Sequence, residues 1–240
     1  MQYFISAPFG NYIKRPSQAL NVTGTWTFNP RSGLSYQILR TLRYVKTDGY
    51  WGWRNKIGLR NKGISVGLDK TDTKKEILSI AAIENNDWYN LNPMIDPYRN
   101  IEINISCPNL NHTQDTSEFR SFSAFAARTR ARWCIVKVPP TATYSLIDRI
   151  VYSGYSQIHA SNTLPSKKGG LSGKVLIPYT LDIIEYVKKR YSHVEIIAGG
   201  GVTETSDVDR YLNAGADHIS LGSVCFTPWK LREILNYKVL

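Results

Sequence analysis

A cysteine flanked by amide side chains is the feature of this sequence with the clearest chemical potential. The stretch Asn104-Ile105-Ser106-Cys107-Pro108-Asn109 continues an alternation of isoleucines that starts at Ile101. The alternation predicts a β-strand over 101–106, which Pro108 ends, so we expect Cys107 at the carboxyl end of the strand. A thiol there can abstract or donate a proton, and carboxamides can hold a planar polar ligand through paired donors and acceptors.

Two glycine clusters near the end of the chain are candidates for a phosphate site. Ile196-Ile197-Ala198 runs into Gly199–Gly201, and Ile219-Ser220-Leu221 runs into Gly222-Ser223. Glycines let backbone N–H groups approach and surround a phosphate, although a simple turn is the alternative for each cluster alone. The two clusters would follow strands seven and eight of a barrel, where phosphate sites are frequent, and this paired placement favours phosphate binding.

Polar residues at two further strand ends could line the same site. Lys137 is the only charge in the run 134–140, so it either extends to solvent or points into the mouth of a barrel. In the second case its cation could stabilise an anionic ligand such as a reduced flavin. Asn162-Thr163 also follows a strand, Gly169–Gly173 is expected to be a flexible loop, and we expect His159 to be structural, without a chemical role.

The order of the predicted elements indicates an α/β fold. Strands alternating with helices imply parallel pairing, so we predict a single-domain (β/α)₈ TIM barrel over residues 1–240, with an open doubly wound sheet as the alternative. Residues 29–62 are expected to form a long loop with turns. Helices are predicted over 143–152, 178–191 and 205–213, and strands over 2–6, 20–26, 77–83, 101–106, 134–138, 157–162, 194–198 and 218–222.

Composition limits the class of protein and its surroundings. The 240 residues carry 30 basic and 19 acidic side chains, a net charge of +11, which fits an anionic ligand or a solvated basic surface better than a nucleic-acid partner because the basic residues are dispersed. The three cysteines show no disulfide or metal-ligand spacing, and Cys134 and Cys225 are expected to pack in the core. We find neither a membrane-spanning run nor a signal peptide, and so expect a cytoplasmic protein without a membrane partner.

Taken together, these motifs resemble those of the dihydroorotate dehydrogenases over nearly the whole chain. Asn104–Asn109 resembles the family's strand-end motif that carries the catalytic base, and Lys137 with Val138-Pro139-Pro140 resembles its flavin lysine. The resemblance implies a barrel with bound FMN that oxidises dihydroorotate to orotate in pyrimidine biosynthesis. The other matches follow in the family's order: Ser6 with Phe9-Gly10, Asn29-Pro30-Arg31, Asn55–Asn61, Asn162-Thr163, Gly169–Gly173, Gly199–Gly201 and Gly222-Ser223.

The resemblance also implies a role for each matching residue. Cys107 would act as the general base that removes the C5 proton while a hydride leaves C6 for flavin N5, and Lys137 would face the flavin ring. No metal ligand is implied. The other residues implied to bind the cofactor are Ser6, Thr25, Asn104, Ser172, Gly173, Gly200, Gly201, Gly222 and Ser223. Those implied to bind the substrate are Asn55, Gly58, Leu59, Asn104, Asn109, Asn162 and Thr163.

One position departs from the family pattern and keeps other functions open. The family's second strand carries a lysine that contacts flavin and substrate, and in Val22–Thr27 the matching position is Gly24. An FMN-binding barrel with an altered substrate or a non-catalytic role is therefore the alternative. A flavin reductase acting on RNA uridines is a third reading, which the positive charge favours and the carboxamides disfavour.

The resemblance is to the soluble branch of the family, because a cysteine stands where the membrane-bound branch has a serine. It leaves two oxidants open, fumarate or NAD acting through a partner subunit. A homodimer is a further expectation.

Overall fold

A closed barrel of parallel strands forms the body of the molecule. The computed structural model describes residues 1–84, 86–105 and 123–238. In chain order the strands are β1 (Tyr3–Ile5), β2 (Ala19–Thr27), β3 (Arg43–Thr47), β4 (Tyr50–Asn55), β5 (Glu76–Ala81), β6 (Ile101–Asn104), β7 (Cys134–Val138), β8 (Gln157–Ala160), β9 (Gly170–Gly173), β10 (Glu195–Gly199) and β11 (His218–Leu221). The barrel order is β1-β11-β10-β8-β7-β6-β5-β2, so the predicted (β/α)₈ barrel is confirmed and the open sheet is excluded.

Helices connect the barrel strands and cover their outer faces. They are α1 (Leu34–Thr41), α2 (Ile64–Lys70), α3 (Asp87–Leu91), α4 (Tyr144–Tyr152), α5 (Ile177–Arg190), α6 (Thr205–Asn213) and α7 (Pro228–Asn236), and residues 123–128 are also helical. The helices predicted over 143–152, 178–191 and 205–213 are confirmed as α4, α5 and α6. Local signals explain them: Thr143 caps α4 by accepting a hydrogen bond from Leu146 N at 3.2 Å, and Pro178 lies in the first turn of α5.

A second sheet lies outside the barrel, and it corrects two expectations. The strands β3, β4 and β9 pair antiparallel, so the predicted long loop over 29–62 is wrong: it contains α1, β3 and β4. The predicted flexible loop Gly169–Gly173 is also wrong, because residues 170–173 form β9. Gly52 pairs with Gly173 across this sheet, and a side chain on Gly52 would collide with the Ser172 carbonyl. A glycine strand has no apolar alternation, so its sequence resembles that of a loop.

Within the described ranges, two apolar clusters hold the fold together. The larger lies between the barrel strands and the helices and includes Ile158, Ile196 and Ile219. The smaller comprises Phe4, Val22, Ile77, Trp133, Ile135 and Ile197. Side chains two residues apart on a strand share a face, so Ile77 and Ile135 point the same way as Ser79 and Lys137. The smaller cluster, which we call the apolar plug, therefore fills the barrel interior. A polar layer lies above it and faces the carboxyl ends of the strands.

The part of the chain that the structure describes has no helix with the length and apolar character needed to cross a bilayer.

Packing between strand and helix predicts the cost of a cavity in the outer core. Ile158 on β8 is fully buried, and Ile158→Ala is expected to lower the free energy of unfolding by about 2–5 kcal/mol because packing contacts are lost and a void remains. Leu39 on α1 is 79% exposed, so Leu39→Ala is the matched control, with a change within about 0.5 kcal/mol. Urea denaturation measures both, and equal effects of the two substitutions would contradict this packing.

Candidate active site

The carboxyl ends of the barrel strands open into a cavity of about 940 Å³. This volume lies within the range of about 300–1,000 Å³ that small-molecule sites occupy. Of the residues that the sequence singled out, Cys107 and Asn109 lie outside the described residues, and Gly173 does not line the cavity. The others line it together: Ser6, Thr25, Asn55, Gly58, Leu59, Asn104, Lys137, Asn162, Thr163, Ser172, Gly200, Gly201, Gly222 and Ser223.

Charged side chains form the floor of the cavity. Lys137 on β7 is only 3% exposed, and its Nζ donates to Ser6 Oγ at 3.1 Å, so the lysine points into the barrel rather than to solvent. Glu102 on β6 is fully buried, and its Oε2 lies 2.6 Å from Nδ1 of His159 on β8. Lys137 pairs in register with Asn104 on one side and with His159 on the other, and Glu102 joins this layer through its contact with His159.

The charge of Glu102 follows from its neighbours. Burial alone would raise its pKa, but Lys137, His159 and the hydroxyl of Ser79 together lower the pKa of Glu102 to about 2. Burial lowers the pKa of His159, Lys137 lowers it further, and the opposing effect of Glu102 does not restore it. At neutral pH the floor therefore holds the carboxylate of Glu102 and a neutral imidazole whose Nδ1–H donates to it.

A chain of hydrogen bonds joins Glu102 to the asparagines of the cavity wall. Ser79 Oγ donates to Glu102 Oε1 at 2.8 Å, and Thr25 Oγ1 lies 3.0 Å from Ser79 Oγ. Asn104 Nδ2 donates to Thr25 Oγ1 at 3.0 Å, and Asn162 Nδ2 donates to Asn104 Oδ1 at 3.4 Å. Because an ionised carboxylate only accepts, Ser79 must donate to it and Thr25 must donate to Ser79. The carboxylate thus orients the amide groups of both asparagines.

The glycine loops form a second wall with room for a phosphate. Gly200 and Gly201 have φ values of +89° and +79°, which favour glycine. A Cβ on Gly201 would lie 2.9 Å from the Gly173 carbonyl oxygen, so Gly173 supports the loop from behind the lining. Ser220 Oγ is buried and has no hydrogen-bond partner among the described residues. Two glycine loops beside an unpaired buried hydroxyl, with room beside Gly222, fit the phosphate end of a cofactor such as FMN.

The rim of the cavity is held by Asn61 and by the outer sheet. Asn61 Nδ2 donates to Thr27 Oγ1 at 2.9 Å, and Asn61 Oδ1 accepts from Gly63 N at 2.7 Å. These bonds fix the turn that contains Gly58 and Leu59. Asn55 ends β4 and pairs with Gly170 of β9, so the sheet that the sequence did not reveal places Asn55 at the cavity.

Gly24 lies at the cavity wall but has no space for a side chain. Its φ is +103°, and a Cβ there would lie 2.5 Å from the Ser79 carbonyl oxygen and 2.7 Å from Trp26 Cδ1. Asn11 clamps this backbone, since Gly24 N donates to Asn11 Oδ1 at 2.9 Å and Asn11 Nδ2 donates to Gly24 O at 3.1 Å. The neighbouring backbone and the Trp26 side chain therefore pack so closely against Gly24 that only a glycine fits there. Other cations line the cavity from elsewhere: Arg60, Lys62, Lys70 and Lys137.

The two cysteines that the structure describes are poor proton acceptors. Burial raises the pKa of Cys134 to about 11 and that of Cys225 to about 12, so both remain thiols at neutral pH. Both are partly buried and pack against the core, and Cys225 also lines the cavity.

The sequence analysis did not predict that Glu102, Ser79 and His159 form one hydrogen-bonded group at the floor of the cavity. The alternation in β6 did place Glu102 on the same face as Asn104, and this was the available signal. The partners come from β5 and β8, so only the register of the barrel brings them together. His159 is buried and hydrogen-bonded as expected, but it also lines the cavity.

The fold and the cavity define a class: a (β/α)₈ barrel with a polar small-molecule site at the carboxyl ends of its strands. The family model described as dihydroorotate dehydrogenase matches residues 11–236. The chain therefore belongs to the dihydroorotate dehydrogenase family, a family of oxidoreductases.

Curated relatives and solved structures agree with this assignment. The protein named dihydroorotate dehydrogenase B (NAD(+)), catalytic subunit, from Thermotoga maritima is 28% identical over 265 residues, which cover 96% of this chain and 93% of that protein. The protein of the same name from Oceanobacillus iheyensis is 29% identical over 231 residues, covering 82% of this chain and 74% of its own. The structure of DHODH from Eimeria tenella in complex with ferulenol superimposes with a TM-score of 0.69 at 17% identity, covering 98% of this chain and 79% of that one. At this identity the structural likeness shows the fold alone.

The clamped backbone at Gly24 predicts a substitution effect with a matched control. Gly33 also has a positive φ, +86°, but a Cβ there would meet nothing within 4 Å. Gly33→Ala should cost about 1–2 kcal/mol from backbone strain alone. Gly24→Ala should cost about 1–3 kcal/mol more, because its Cβ also overpacks the wall. Urea denaturation of both variants checks this, and equal losses would show that Gly24 can accept a side chain.

Proposed function

We propose that this protein binds FMN and oxidises dihydroorotate to orotate, the reaction for which its family is named. The observation that carries the proposal is a single cavity that unites a buried lysine, two oriented carboxamides and two glycine loops. Lys137, Asn104, Asn162, Gly200 and Gly222 all line it. FMN supplies a two-electron acceptor to such a site.

The glycine wall would hold the cofactor's phosphate. Backbone N–H groups of Gly200, Gly201, Gly222 and Ser223 are the proposed donors, and the buried hydroxyl of Ser220 gains a partner when an anion enters. Lys137 would face the isoalloxazine ring, where its ammonium stabilises negative charge in a site of low dielectric. The remaining proposed cofactor contacts are Ser6, Thr25, Asn104, Ser172 and Gly173.

The amide wall would hold the substrate. Asn104 and Asn162 are oriented by the hydrogen-bond chain that ends at Glu102, and Asn162 Oδ1 accepts from Thr163 N at 2.8 Å. A pyrimidine ring offers alternating N–H and C=O groups, which carboxamides match in pairs. The other proposed substrate contacts are Asn55, Gly58, Leu59 and Asn109.

Cys107 is the proposed general base. In the sequence it lies three residues beyond the end of β6, the strand that carries Asn104, and the loops that follow strands in this fold carry the catalytic groups. A free thiol has a pKa near 8.5, so removal of the C5 proton requires the thiolate or a concerted transfer onward to solvent.

The electron acceptor is proposed from the relatives. The curated relatives are named as NAD(+) catalytic subunits, which favours reoxidation through a partner subunit over fumarate. A homodimer stays a prediction.

The second candidate function is an FMN-binding barrel without this activity. The observation that favours it is Gly24, because the wall leaves no room for the lysine that the family carries there. Anaerobic mixing with dihydroorotate separates the two functions. If the protein is an enzyme of this type, the visible absorption band of bound FMN disappears on mixing. A band that persists supports the second function, and a protein that does not bind FMN contradicts both.

The role of Cys107 predicts a selective kinetic loss. Cys107→Ala should keep FMN but slow its reduction by dihydroorotate by about 10²–10⁴-fold, the usual contribution of a positioned general base. Cys134→Ala is the matched control, because that thiol lies at the start of β7, where its pKa is about 11. Anaerobic stopped-flow absorbance measures both rates. Wild-type reduction by the Cys107→Ala protein would rule out this thiol as the base.

A further inference from the structure

His159 forms a buried pair with Glu102, and whereas Glu102 orients the asparagines of the cavity wall, the proposed chemistry gives the imidazole no role. The two side chains are 2% and 0% exposed, and Nδ1 and Oε2 lie 2.6 Å apart. A carboxylate that holds one imidazole nitrogen leaves the other, Nε2, to gain or lose a proton without moving the ring. Because His159 lines the cavity, its charge acts directly on whatever the cavity binds.

Few groups decide the charge of this imidazole. Among the described residues, the charged groups that act on His159 are Glu102 from β6 and Lys137 from β7. The neighbouring strand β10 approaches it with Gly199, where a Cβ would lie 3.2 Å from Nε2 and 3.0 Å from Ser220 Cβ of β11. Glu102 and Lys137 compensate one another, so the neutral imidazole leaves the floor without net charge.

A negative charge entering the cavity disturbs this balance. Burial and Lys137 keep the imidazole neutral, and an added anion opposes both effects because it favours a second cation nearby. The positive charge of Lys137 already interacts with the carboxylate of Glu102, so it balances the negative charge of an anionic ligand only in part. His159 is the group of the floor that can supply the missing positive charge near neutral pH.

We propose that Nε2 of His159 takes up a proton when the bound isoalloxazine takes up two electrons. The inference rests on the proposed FMN site. The electrons come from dihydroorotate or from a chemical reductant; one proton goes to the cofactor, and a second proton goes from solvent to Nε2. The charge of the floor rises by one as the charge of the cofactor falls by one. His159 is thus a positioning residue for charge and does not touch the reacting atoms.

The pH dependence of the midpoint potential tests this coupling in the FMN-loaded protein. The steepness of that dependence scales with the protons taken up per electron, so the potential of the wild-type protein should fall about twice as steeply with pH as that of His159→Gln. His218→Gln is the matched control. His218 is also a buried histidine whose pKa burial lowers, but it lies at the amino end of β11, away from the cavity, and its loss should leave the wild-type slope unchanged.

The outcomes of this experiment distinguish a failure of the proton coupling from a failure of the proposed function. Equal slopes in the wild-type and His159→Gln proteins, with FMN bound and reducible, overturn the coupling and leave the proposed function standing. A chain that does not bind FMN overturns both.

A second measurement applies if His159→Gln does not fold. The wild-type protein labelled with ¹⁵N-histidine has four histidines, and the signal of His159 is assigned by elimination with glutamine variants of His112, His193 and His218. A change of that signal from neutral to doubly protonated on reduction supports the coupling, and an unchanged signal overturns it.

Discussion

The buried carboxylate of Glu102 is the constraint on which the rest of this site depends. An ionised carboxyl group without solvent costs several kcal/mol unless opposite charge and hydrogen bonds compensate it. Lys137, His159 and Ser79 provide that compensation from three other strands. The register of β5, β6, β7 and β8 must therefore be held, since a slip of one residue would turn these side chains out of the barrel. The same carboxylate orients the donor chain that reaches Asn104 and Asn162.

The barrel interior has two layers with different roles: a lower apolar layer that stabilises the fold and an upper polar layer that faces the cavity. Along β5 and β7, Ile77 precedes Ser79 and Ile135 precedes Lys137 on the same face. The apolar plug formed by these isoleucines and their neighbours excludes water from below, while the polar side chains two residues further on meet the cavity. Low dielectric beneath the layer strengthens each charge interaction in it, so charged groups of the floor act strongly on a ligand in the cavity.

The sequence predicted what depends on local pattern and missed what depends on pairing between distant segments. Short apolar segments, one of them alternating over Ile101–Ile105, predicted the barrel strands, and Pro178 with the basic run Lys188-Lys189-Arg190 marked α5. The strand Gly170–Gly173 was not recognisable from its own sequence. It forms a strand because it pairs with β4, which lies more than a hundred residues earlier in the chain. The same limit applies to His159. Its neighbours in sequence are uninformative, and its partner Glu102 arrives through the barrel register.

We infer that the glycine at position 24 and the histidine at position 159 are parts of one charge balance. Among the described residues, Lys137 is the only lysine buried beneath the cavity, and its positive charge already compensates the carboxylate of Glu102. A fixed second ammonium on β2 would be costly in the empty site, where no anion balances it, and the wall around Gly24 leaves it no room. An imidazole avoids that cost because it is neutral until negative charge arrives. Under the proposed coupling, the floor therefore gains its second positive charge only when the bound ligand carries an added negative charge.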